Sequence, residues 1–186
     1  MPAARSPLKD TGPIAGDADR VAMLRAMLKG RKDAAVWTDE VDRAAWQRRR
    51  GARRASFTID TVRRLRALLG NGVRVRLVIG ADQAAAFHRW RSARMLLRLA
   101  QPIVMPREGV DSAATLVQEV RRNANGFWSE KELQAWGPRL ACGKVVHVSS
   151  TRVREQLAGA RRAQALRALP SGVAGVIRKK GLYRSR

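Results

Sequence analysis

Two short stretches of the sequence carry residue types that bind nucleotides. In the first, an apolar and largely β-branched run over 73–79 predicts a strand, and Gly80 and Asp82 follow it closely. Gly80 suits a tight turn or a close backbone approach, and an acid at the carboxyl end of a strand can accept hydrogen bonds from ribose hydroxyls. Phe87 and Trp90 come next at helical spacing, and Trp90 offers an aromatic face for stacking. This stretch therefore has the composition of a ligand site.

The second stretch, Ser149-Ser150-Thr151-Arg152-Val153-Arg154, stands where a predicted strand becomes a helix. Hydroxyls and free backbone N–H groups at a helix start bind anions, and Arg152 and Arg154 would add charge-assisted contacts to phosphate oxygens. A plain helix N-cap accounts equally well for the serines and the threonine. The anion site gains support because both stretches would lie at the same edge of one parallel sheet.

The rest of the chain must position these two stretches, and its hydrophobic pattern alternates helices with strands. In the first half we predict a helix that is capped by Asp17 or Asp19 and runs to about Lys29, followed by a strand at Ala34–Thr38. A loop or partly ordered flap then extends to Arg54. The next helix is capped by Thr58, has Asp60 in its first turn and stops at Gly70. After the strand over 73–79 we predict a helix at Ser92–Ala100, a strand at Pro102–Met105 and a helical insertion over 108–143. A strand at Lys144–Val148 follows, then a helix from Ser149 and a last helix at Val173–Lys179. This order is typical of a three-layer α/β domain with a parallel sheet, so we predict a single domain over 1–186.

Length and composition set limits on the class of protein. At 186 residues the chain is long enough for one domain with a sizeable core. The single cysteine, Cys142, excludes an internal disulfide framework and favours a cytoplasmic location, and no apolar run is long enough for a membrane span. The start of the chain has no apolar segment after its charges, so we expect no secretory signal. We expect Trp37, Trp46, Trp128 and Trp136 to be packing residues.

The chain is strongly basic, with a formal net charge of +23 from 38 basic and 15 acidic residues. Such an excess attracts polyanions such as nucleic acid or nucleotide phosphates. The basic residues are spread along the whole chain, however, and form a dense run only at Arg48–Arg54. That distribution also fits an ordinary solvated surface rich in arginine. Charge alone does not decide the function.

Six segments of the sequence form a specific pattern when they are taken together. They are Ser6-Pro7-Leu8-Lys9, Ser56-Phe57-Thr58-Ile59-Asp60-Thr61, Ile79-Gly80-Ala81-Asp82, Phe87-His88-Arg89-Trp90, Val148-Ser149-Ser150-Thr151-Arg152-Val153-Arg154 and Gly181-Leu182-Tyr183. In order and in spacing, across nearly the whole chain, they resemble the bacterial nicotinate-nucleotide adenylyltransferase family. Any one of them would be a weak signal, but six in register are a strong one.

The resemblance implies a Rossmann-like nucleotidyltransferase fold, with helices on both faces of a parallel sheet. It implies adenylyl transfer from ATP to nicotinate mononucleotide, giving nicotinate adenine dinucleotide and pyrophosphate in NAD biosynthesis, with Mg²⁺ as cofactor. By the family's pattern Trp90 stacks on the nicotinate ring and Thr58 helps to hold the pyridine carboxylate. Asp82 lies beside the nucleotide, and Arg89 counts among the substrate-binding residues. The residues that would hold the ATP phosphates are Ser149, Ser150, Thr151 and Arg154. We therefore expect small-molecule partners rather than a nucleic acid or a membrane.

The family's GxFDPxHxGH motif has no counterpart in the sequence, whose two histidines are His88 and His147. Because the motif's histidines steady the transferring phosphate in the family, the catalytic residues stay unassigned here, and no protein metal ligand is predicted. We expect His88 to lie at the substrate rim or on the surface, and His147 to be structural. We also expect that the first βα unit is missing because the start site was assigned too late, so that translated upstream DNA would supply an in-frame HxGH segment. The chain as given is then expected to be inactive or badly impaired.

Two other functions compete with this one. Phosphopantetheine adenylyltransferase shares the fold and the C-terminal phosphate segment, but the segments around Thr58 and Trp90 argue against it. The other alternative is a non-catalytic homologue that binds RNA through Arg48–Arg54 and its overall charge. The preference for nicotinate over nicotinamide mononucleotide, assembly into a homo-oligomer and the role of the 108–143 insertion are left open.

Overall fold

A computed structural model of the chain describes residues 1–4, 13–52, 55–70, 72–143 and 149–184. The helices in these residues are α1 (Asp17–Met27), α2 (Asp39–Arg49), α3 (Thr58–Leu69), α4 (Ala81–Ala85), α5 (Ala93–Leu99), α6 (Ala113–Ala124), α7 (Glu130–Gln134), α8 (Ser150–Ala158), α9 (Arg162–Ala168) and α10 (Ser171–Lys179). The strands are β1 (Arg76–Gly80) and β2 (Gln101–Met105), and short 3₁₀ turns occur at Phe87–Arg89 and Gly137–Arg139. The chain divides into two compact units, which we call the sheet unit (Phe57–His147) and the helical unit (Met1–Ser56 with Val148–Arg186).

The sheet unit is built on two parallel strands joined by a helical crossover. Arg76 pairs with Gln101 at the start of the strands and Gly80 pairs with Met105 at their end. Between them the chain passes through α4, the first 3₁₀ turn and α5, as a parallel connection requires. A further parallel bridge joins Val104 to Leu140. The predicted α/β class with a parallel sheet is confirmed, and the arrangement is consistent with a Rossmann-like fold.

The core of the sheet unit contains most of its large apolar side chains. Ile79 and Val104 of the two strands pack with Leu116 and Val120 of α6. The segments after α6 add further buried side chains to the same core, namely Trp128, Leu133 and Trp136. The helices predicted in 108–143 are therefore present, and they share their core with the strands.

The helical unit has a smaller core formed by Leu157, Ala165, Leu166, Ala174 and Ile177. In this unit α1 packs against α10 at close range. A Cβ added to Gly172 would lie 2.6 Å from the carbonyl oxygen of Ala26, so only glycine allows this approach.

The structure corrects several predictions in the helical unit. Residues 34–38 form no strand, and the charged segment predicted as a loop contains α2 instead. The acidic first turn and basic last turn of α2 match the helix dipole, a signal that outweighs its lack of an apolar period. The helix α9 was not predicted. Trp46 was expected to pack, but its side chain on α2 is 54% exposed.

Element ends also differ from the predictions. The N-cap of α1 is Gly16 rather than Asp17 or Asp19, and the N-cap of α3 is Phe57, so that Thr58 is its first helical residue. The strand β1 begins at Arg76 rather than Val73, while the stop of α3 at Gly70 is confirmed. The predicted strand at Lys144–Val148 and the segment Ser6–Lys9 lie outside the described residues. Within the described parts of the chain, no helix is both long and apolar enough to cross a membrane.

Candidate functional site

The turn after β1 places Asp82 at the carboxyl end of the parallel strands. Gly80 ends the strand with an extended backbone (φ −79°, ψ 161°), and α4 begins at the next residue. A Cβ at Gly80 would collide with Oδ1 of Asp82 and lie 3.2 Å from Nε of Arg107. With glycine here, the side chains of Asp82 and Arg107 approach the backbone closely, and because both are exposed and flexible, a larger residue would displace them rather than the backbone.

Asp82 lies on the surface between two polar neighbours. Its side chain is 62% exposed, and Nε2 of Gln83 donates a hydrogen bond of 3.0 Å to Oδ2. Nε of Arg107, which follows β2, is 3.9 Å from Oδ1. An exposed carboxylate with an exposed guanidinium beside it offers both hydrogen-bond acceptors and donors to a ligand at this edge.

The indole of Trp90 forms a partly exposed aromatic surface that packs against the buried core. Its indole is half-buried and stacks on Phe87, with ring centroids 4.8 Å apart and an angle of 24° between the planes. Phe87 is fully buried and contacts the edge of Trp136 at 5.3 Å. The indole Nε1 is buried without a hydrogen-bond partner among the described residues. The ring position is thus fixed by packing while part of the indole stays accessible.

The residues near Trp90 differ in their exposure to solvent, and therefore in their access to a ligand. Arg89 is exposed. His88 is half-buried, and its Nδ1 lies 3.2 Å from the carbonyl oxygen of Ala85. Thr58 is half-buried in the first turn of α3, and the guanidinium of Arg91 lies 4.8 Å from the ring of the preceding Phe57.

The second predicted stretch begins α8 in the helical unit. Ser149 is the N-cap, and its hydroxyl accepts a hydrogen bond of 3.5 Å from the backbone N–H of Arg152. Nη2 of Arg154 donates to the Thr151 hydroxyl at 3.2 Å. Ser149, Ser150 and Thr151 are exposed. The N-cap interpretation is confirmed, and the phosphate site at the same helix start stays a prediction.

Comparison with known proteins identifies the family. No family model matches the chain. A protein of Chromobacterium violaceum is 32% identical over 180 residues, which cover 93% of this chain and 77% of that protein. Relatives from Marinobacter nauticus (32% over 178 residues, 92% and 76% covered) and Pseudomonas putida (30% over 190 residues, 100% and 80% covered) are similar. All three are named "Probable nicotinate-nucleotide adenylyltransferase".

The chain belongs to the nicotinate-nucleotide adenylyltransferase family. The predicted enzyme class, a nucleotidyltransferase of NAD biosynthesis, is thereby confirmed, and the α/β structure agrees with a nucleotidyltransferase fold. The residue roles implied by the resemblance remain predictions, because family membership at this identity does not test them one by one.

Arg107 is a candidate site residue of this family member that the sequence did not suggest. It comes two residues after β2, which is the parallel neighbour of β1, so it reaches the same sheet edge as Asp82. The turn that holds it is closed by backbone hydrogen bonds between Arg107 and Val110 of 3.2 and 2.9 Å. Its position after a predicted strand was the available signal, but the strand order was needed to use it.

Proposed function

We propose that this chain transfers the adenylyl group of ATP to nicotinate mononucleotide, with nicotinate adenine dinucleotide and pyrophosphate as products. The observation that carries the proposal is the half-buried Trp90, stacked on Phe87 within 24° of parallel, in the same unit as the Gly80–Asp82 strand end. An aromatic platform beside a polar strand end suits a ligand that joins a flat heteroaromatic ring to a ribose phosphate. Family membership supports the same reaction.

The pyridine half of the substrate is assigned to the sheet unit. Trp90 provides the stacking face, and Thr58 supplies a hydroxyl at the N-terminus of α3, where backbone N–H groups and the helix dipole favour a carboxylate. Arg89, exposed beside the indole, supplies a cation for the negatively charged mononucleotide. Asp82 accepts hydrogen bonds from a ribose, with Arg107 as its neighbour.

The ATP phosphates are assigned to the start of α8. Exposed hydroxyls of Ser150 and Thr151 and the guanidinium of Arg154 lie at the positive end of that helix. The 3.2 Å contact between Arg154 and Thr151 orients the guanidinium toward the first turn. Ser149 contributes mainly by capping the helix, which keeps the neighbouring N–H groups in place.

The reaction requires no nucleophile from the protein. A phosphate oxygen of the mononucleotide attacks the α-phosphorus of ATP, the bond from this phosphorus to the bridging oxygen breaks, and pyrophosphate leaves with the electron pair. The residues assigned to each substrate then act by binding it, and Arg154 and the helix dipole balance the charge on the leaving group. No residue of the printed sequence is assigned as a catalytic acid or base.

A magnesium ion fits this site only as part of the ATP complex. No group of three potential metal-binding side chains occurs among the described residues, and Asp82 is the one carboxylate at the end of β1. Mg²⁺ is held in such sites by one or two carboxylates together with substrate phosphates, a pattern compatible with Asp82. When bound, the ion neutralises charge on the phosphates. The single cysteine, Cys142, is free and exposed, which accords with a reducing cytoplasm as the proposed location.

The competing RNA-binding function has weaker support. The run Arg48–Arg54 lies partly in α2, where Arg48 pairs with Asp17 at 3.0 Å, and Arg53 and Arg54 lie outside the described residues. The relatives described above carry the name of the nicotinate enzyme rather than that of the phosphopantetheine enzyme. We therefore keep the nicotinate reaction as the proposal.

The test compares Trp90→Ala with Trp46→Ala, an exposed tryptophan of the helical unit. Calorimetry should find that Trp90→Ala weakens nicotinate mononucleotide binding by about tenfold or more, as expected for a lost aromatic stack, while ATP binding changes little. Trp46→Ala should change neither affinity. Adenylyl transfer, measured as nicotinate adenine dinucleotide formed, is the second measurement, and because the sequence lacks the HxGH segment we expect a low rate from the original chain. Equal losses for both substrates, or no loss for the mononucleotide, would overturn the assigned role of Trp90.

A further inference from the structure

A second polar pocket lies at the opposite end of the strands from Asp82. It has a volume of about 250 Å³ and is lined by Arg66, Arg74, Val75, Arg76, Arg98 and Gln101. Arg76 and Gln101 are the paired first residues of β1 and β2, whereas Gly80 and Met105 are their last. Four residue steps along a strand span about 13 Å, so this pocket is separate from the strand end that carries Asp82.

Arg66 lines one side of the pocket, and three hydrogen bonds to backbone carbonyl groups fix its side chain. Nε and Nη2 of Arg66 donate hydrogen bonds of 3.0 and 2.7 Å to the carbonyl oxygen of Leu99, and Nη1 donates to the carbonyl oxygen of Val73 at 2.5 Å. These bonds tie α3 to the end of α5 and to the chain before β1. They use three of the five N–H groups of the guanidinium, and both acceptors are neutral. Arg66 therefore has two further N–H donors and no acidic partner among the described residues.

The other arginines of the pocket also lack an opposite charge. Arg76 donates to Oε1 of Gln101 at 2.7 Å, and Arg74 and Arg98 are exposed. None of the six lining residues is acidic, and none of the four arginines forms an ion pair with a described residue. Outside this lining, burial and then the charge of Arg76 lower the pKa of Arg139, whose Nε is buried without a hydrogen-bond partner among the described residues.

This lack of pairing is not a general property of the arginines in the sheet unit. Arg94 pairs with Glu132 at 2.7 Å, and Arg121 pairs with Glu130 at 2.7 Å. At the amino ends of the strands, like charges are gathered around a concave space instead, an arrangement that a bound anion would stabilise.

We propose that this pocket binds a small anion with two or three linked phosphate groups. Guanidinium groups bind phosphate oxygens through paired, charge-assisted hydrogen bonds, and four of them around one space offer more donors than a single phosphate can accept. The side-chain amide of Gln101 adds N–H donors, because its oxygen already accepts from Arg76. Free pyrophosphate, a longer inorganic polyphosphate and the phosphate tail of a nucleoside diphosphate share this chemistry.

Calorimetry on the whole chain at constant ionic strength tests the proposal with pyrophosphate, tripolyphosphate, ADP and orthophosphate as separate probes. We expect Arg74→Gln combined with Arg98→Gln to weaken pyrophosphate and tripolyphosphate binding by about tenfold or more, and orthophosphate to bind much more weakly than either. The charge-matched control combines Arg25→Gln with Arg167→Gln, two exposed arginines of the helical unit, and should stay within about twofold of the original affinity. Comparing ADP with pyrophosphate shows whether a nucleoside adds to the binding.

Three results would overturn the proposal. Equal weakening in the pocket variant and in its control would mean that binding follows net charge alone. Loss of pyrophosphate binding in Arg154→Gln but not in the pocket variant would assign the anion to the start of α8. The third result is that a short single-stranded RNA binds, that its affinity falls in the variant lacking Arg74 and Arg98, and that pyrophosphate does not bind. The pocket would then be part of a nucleic-acid-binding surface.

A melting experiment separates loss of the ligand from loss of the fold. Pyrophosphate should raise the melting temperature of the original chain and of the control, because a ligand that binds the folded state stabilises it. It should raise that of the pocket variant by less, because only the phosphate site proposed at the start of α8 remains there. An equal rise in the pocket variant and in the original chain would overturn the proposal. Without ligand, the pocket variant should melt no lower than the original chain, since the substitution removes like charges from an exposed site.

Discussion

The sheet unit and the helical unit are stabilised in different ways. The sheet unit has an aromatic core in which Phe87, Trp128 and Trp136 pack edge to face at 5.3 and 5.9 Å. The helical unit has a small aliphatic core, and its helices are joined at the surface by charges. Asp19 of α1 pairs with Lys180, the C-cap of α10, at 2.6 Å, and Asp17 of α1 pairs with Arg48 of α2 at 3.0 Å. Ion pairs, each worth little, occur in both units, so the buried aromatic core is what distinguishes the sheet unit.

This difference matches the roles proposed for the two units. A stacking surface must be rigid, and Trp90 obtains its rigidity from the buried ring of Phe87. A phosphate-binding helix start needs exposed N–H groups and hydroxyls, and the start of α8 keeps them exposed. Substitutions of buried core residues in the sheet unit should therefore act mainly through packing, whereas site residues of α8 should act on folding and on binding together.

The largest expected effect on stability comes from replacing a tryptophan by alanine in the sheet unit, compared with the same replacement in the helical unit. Trp136→Ala removes a fully buried indole from the centre of the aromatic core and should lower the free energy of unfolding by about 3–5 kcal/mol. Trp46→Ala removes a 54% exposed ring whose main contact is the guanidinium of Arg50, 3.9 Å from the ring centroid, and should cost about 0.5–1 kcal/mol. Urea denaturation of both variants measures the two values. Similar losses would contradict the contrast between the units.

The next effect tests close packing within the helical unit. Gly172→Ala would bring a Cβ to 2.6 Å from the carbonyl oxygen of Ala26, so we expect a loss of about 1–3 kcal/mol as α10 moves away from α1. Gly175 of the same helix has open space around it, and Gly175→Ala should instead stabilise the chain by about 0.5–1 kcal/mol through helix propensity. Thermal denaturation distinguishes the two. A gain in both variants would mean that the helix contact is looser than described.

A third pair of variants compares the site residues of the two units. Ser149→Ala removes the N-cap of α8 and should lower stability by about 0.5–1 kcal/mol while also weakening ATP binding. Asp82→Ala removes an exposed carboxylate and should change stability by less than about 0.5 kcal/mol, yet weaken nucleotide binding by about tenfold. Melting curves and calorimetry on each variant provide the four values. A large stability loss in Asp82→Ala would show a structural role that the exposed position does not suggest.

The accuracy of sequence-based prediction follows the same contrast. In the sheet unit the apolar run before Gly80, the strand ending at Met105 and the stop at Gly70 are all present, because buried strands and glycine turns leave local patterns. In the helical unit α2 was missed because it is polar on most sides and buries little beyond Glu40 and Val41. The acidic residues of its first turn and the basic residues of its last turn were the sequence pattern that indicates this helix.

Site features that depend on tertiary pairing were out of reach of the sequence. The neighbourhood of Asp82 and Arg107 requires the parallel register of the two strands. The arginine pocket requires that same register at the other end, and also the contact of Arg66 with Leu99, which lies 33 residues further along the chain. The caps of α1 and α3 were misplaced because Gly16 and Phe57 act through backbone conformation, without a side-chain hydrogen bond.

The smallest expected effect concerns an ion pair inside the sheet unit, where charge should matter least. Hydrogen bonds from the guanidinium of Arg94, and then from the backbone N–H of Ser129, lower the pKa of Glu132 from 4.5 to about 2. Since the pKa is depressed in the folded state, the stabilisation is complete above pH 4.5 and is lost as the pH falls toward 2. Glu132→Gln should therefore lower the melting temperature by about 1–3 °C near neutral pH, and the difference from the original chain should vanish near pH 2.

Glu130 provides the matched control for that measurement. Its pKa is also lowered to about 2, chiefly by Arg121, but its side chain is exposed and the capping box of α7 is formed by Ser129 and Glu132 instead. Glu130→Gln should change the melting temperature less than Glu132→Gln near neutral pH, because Glu132 both closes the capping box with Ser129 and joins α7 to α5 through Arg94. If the two variants melt alike, the capping box contributes nothing beyond the ion pair. In that case surface charges would stabilise both units to the same small degree, and the contrast between them would be due to the buried aromatic residues alone.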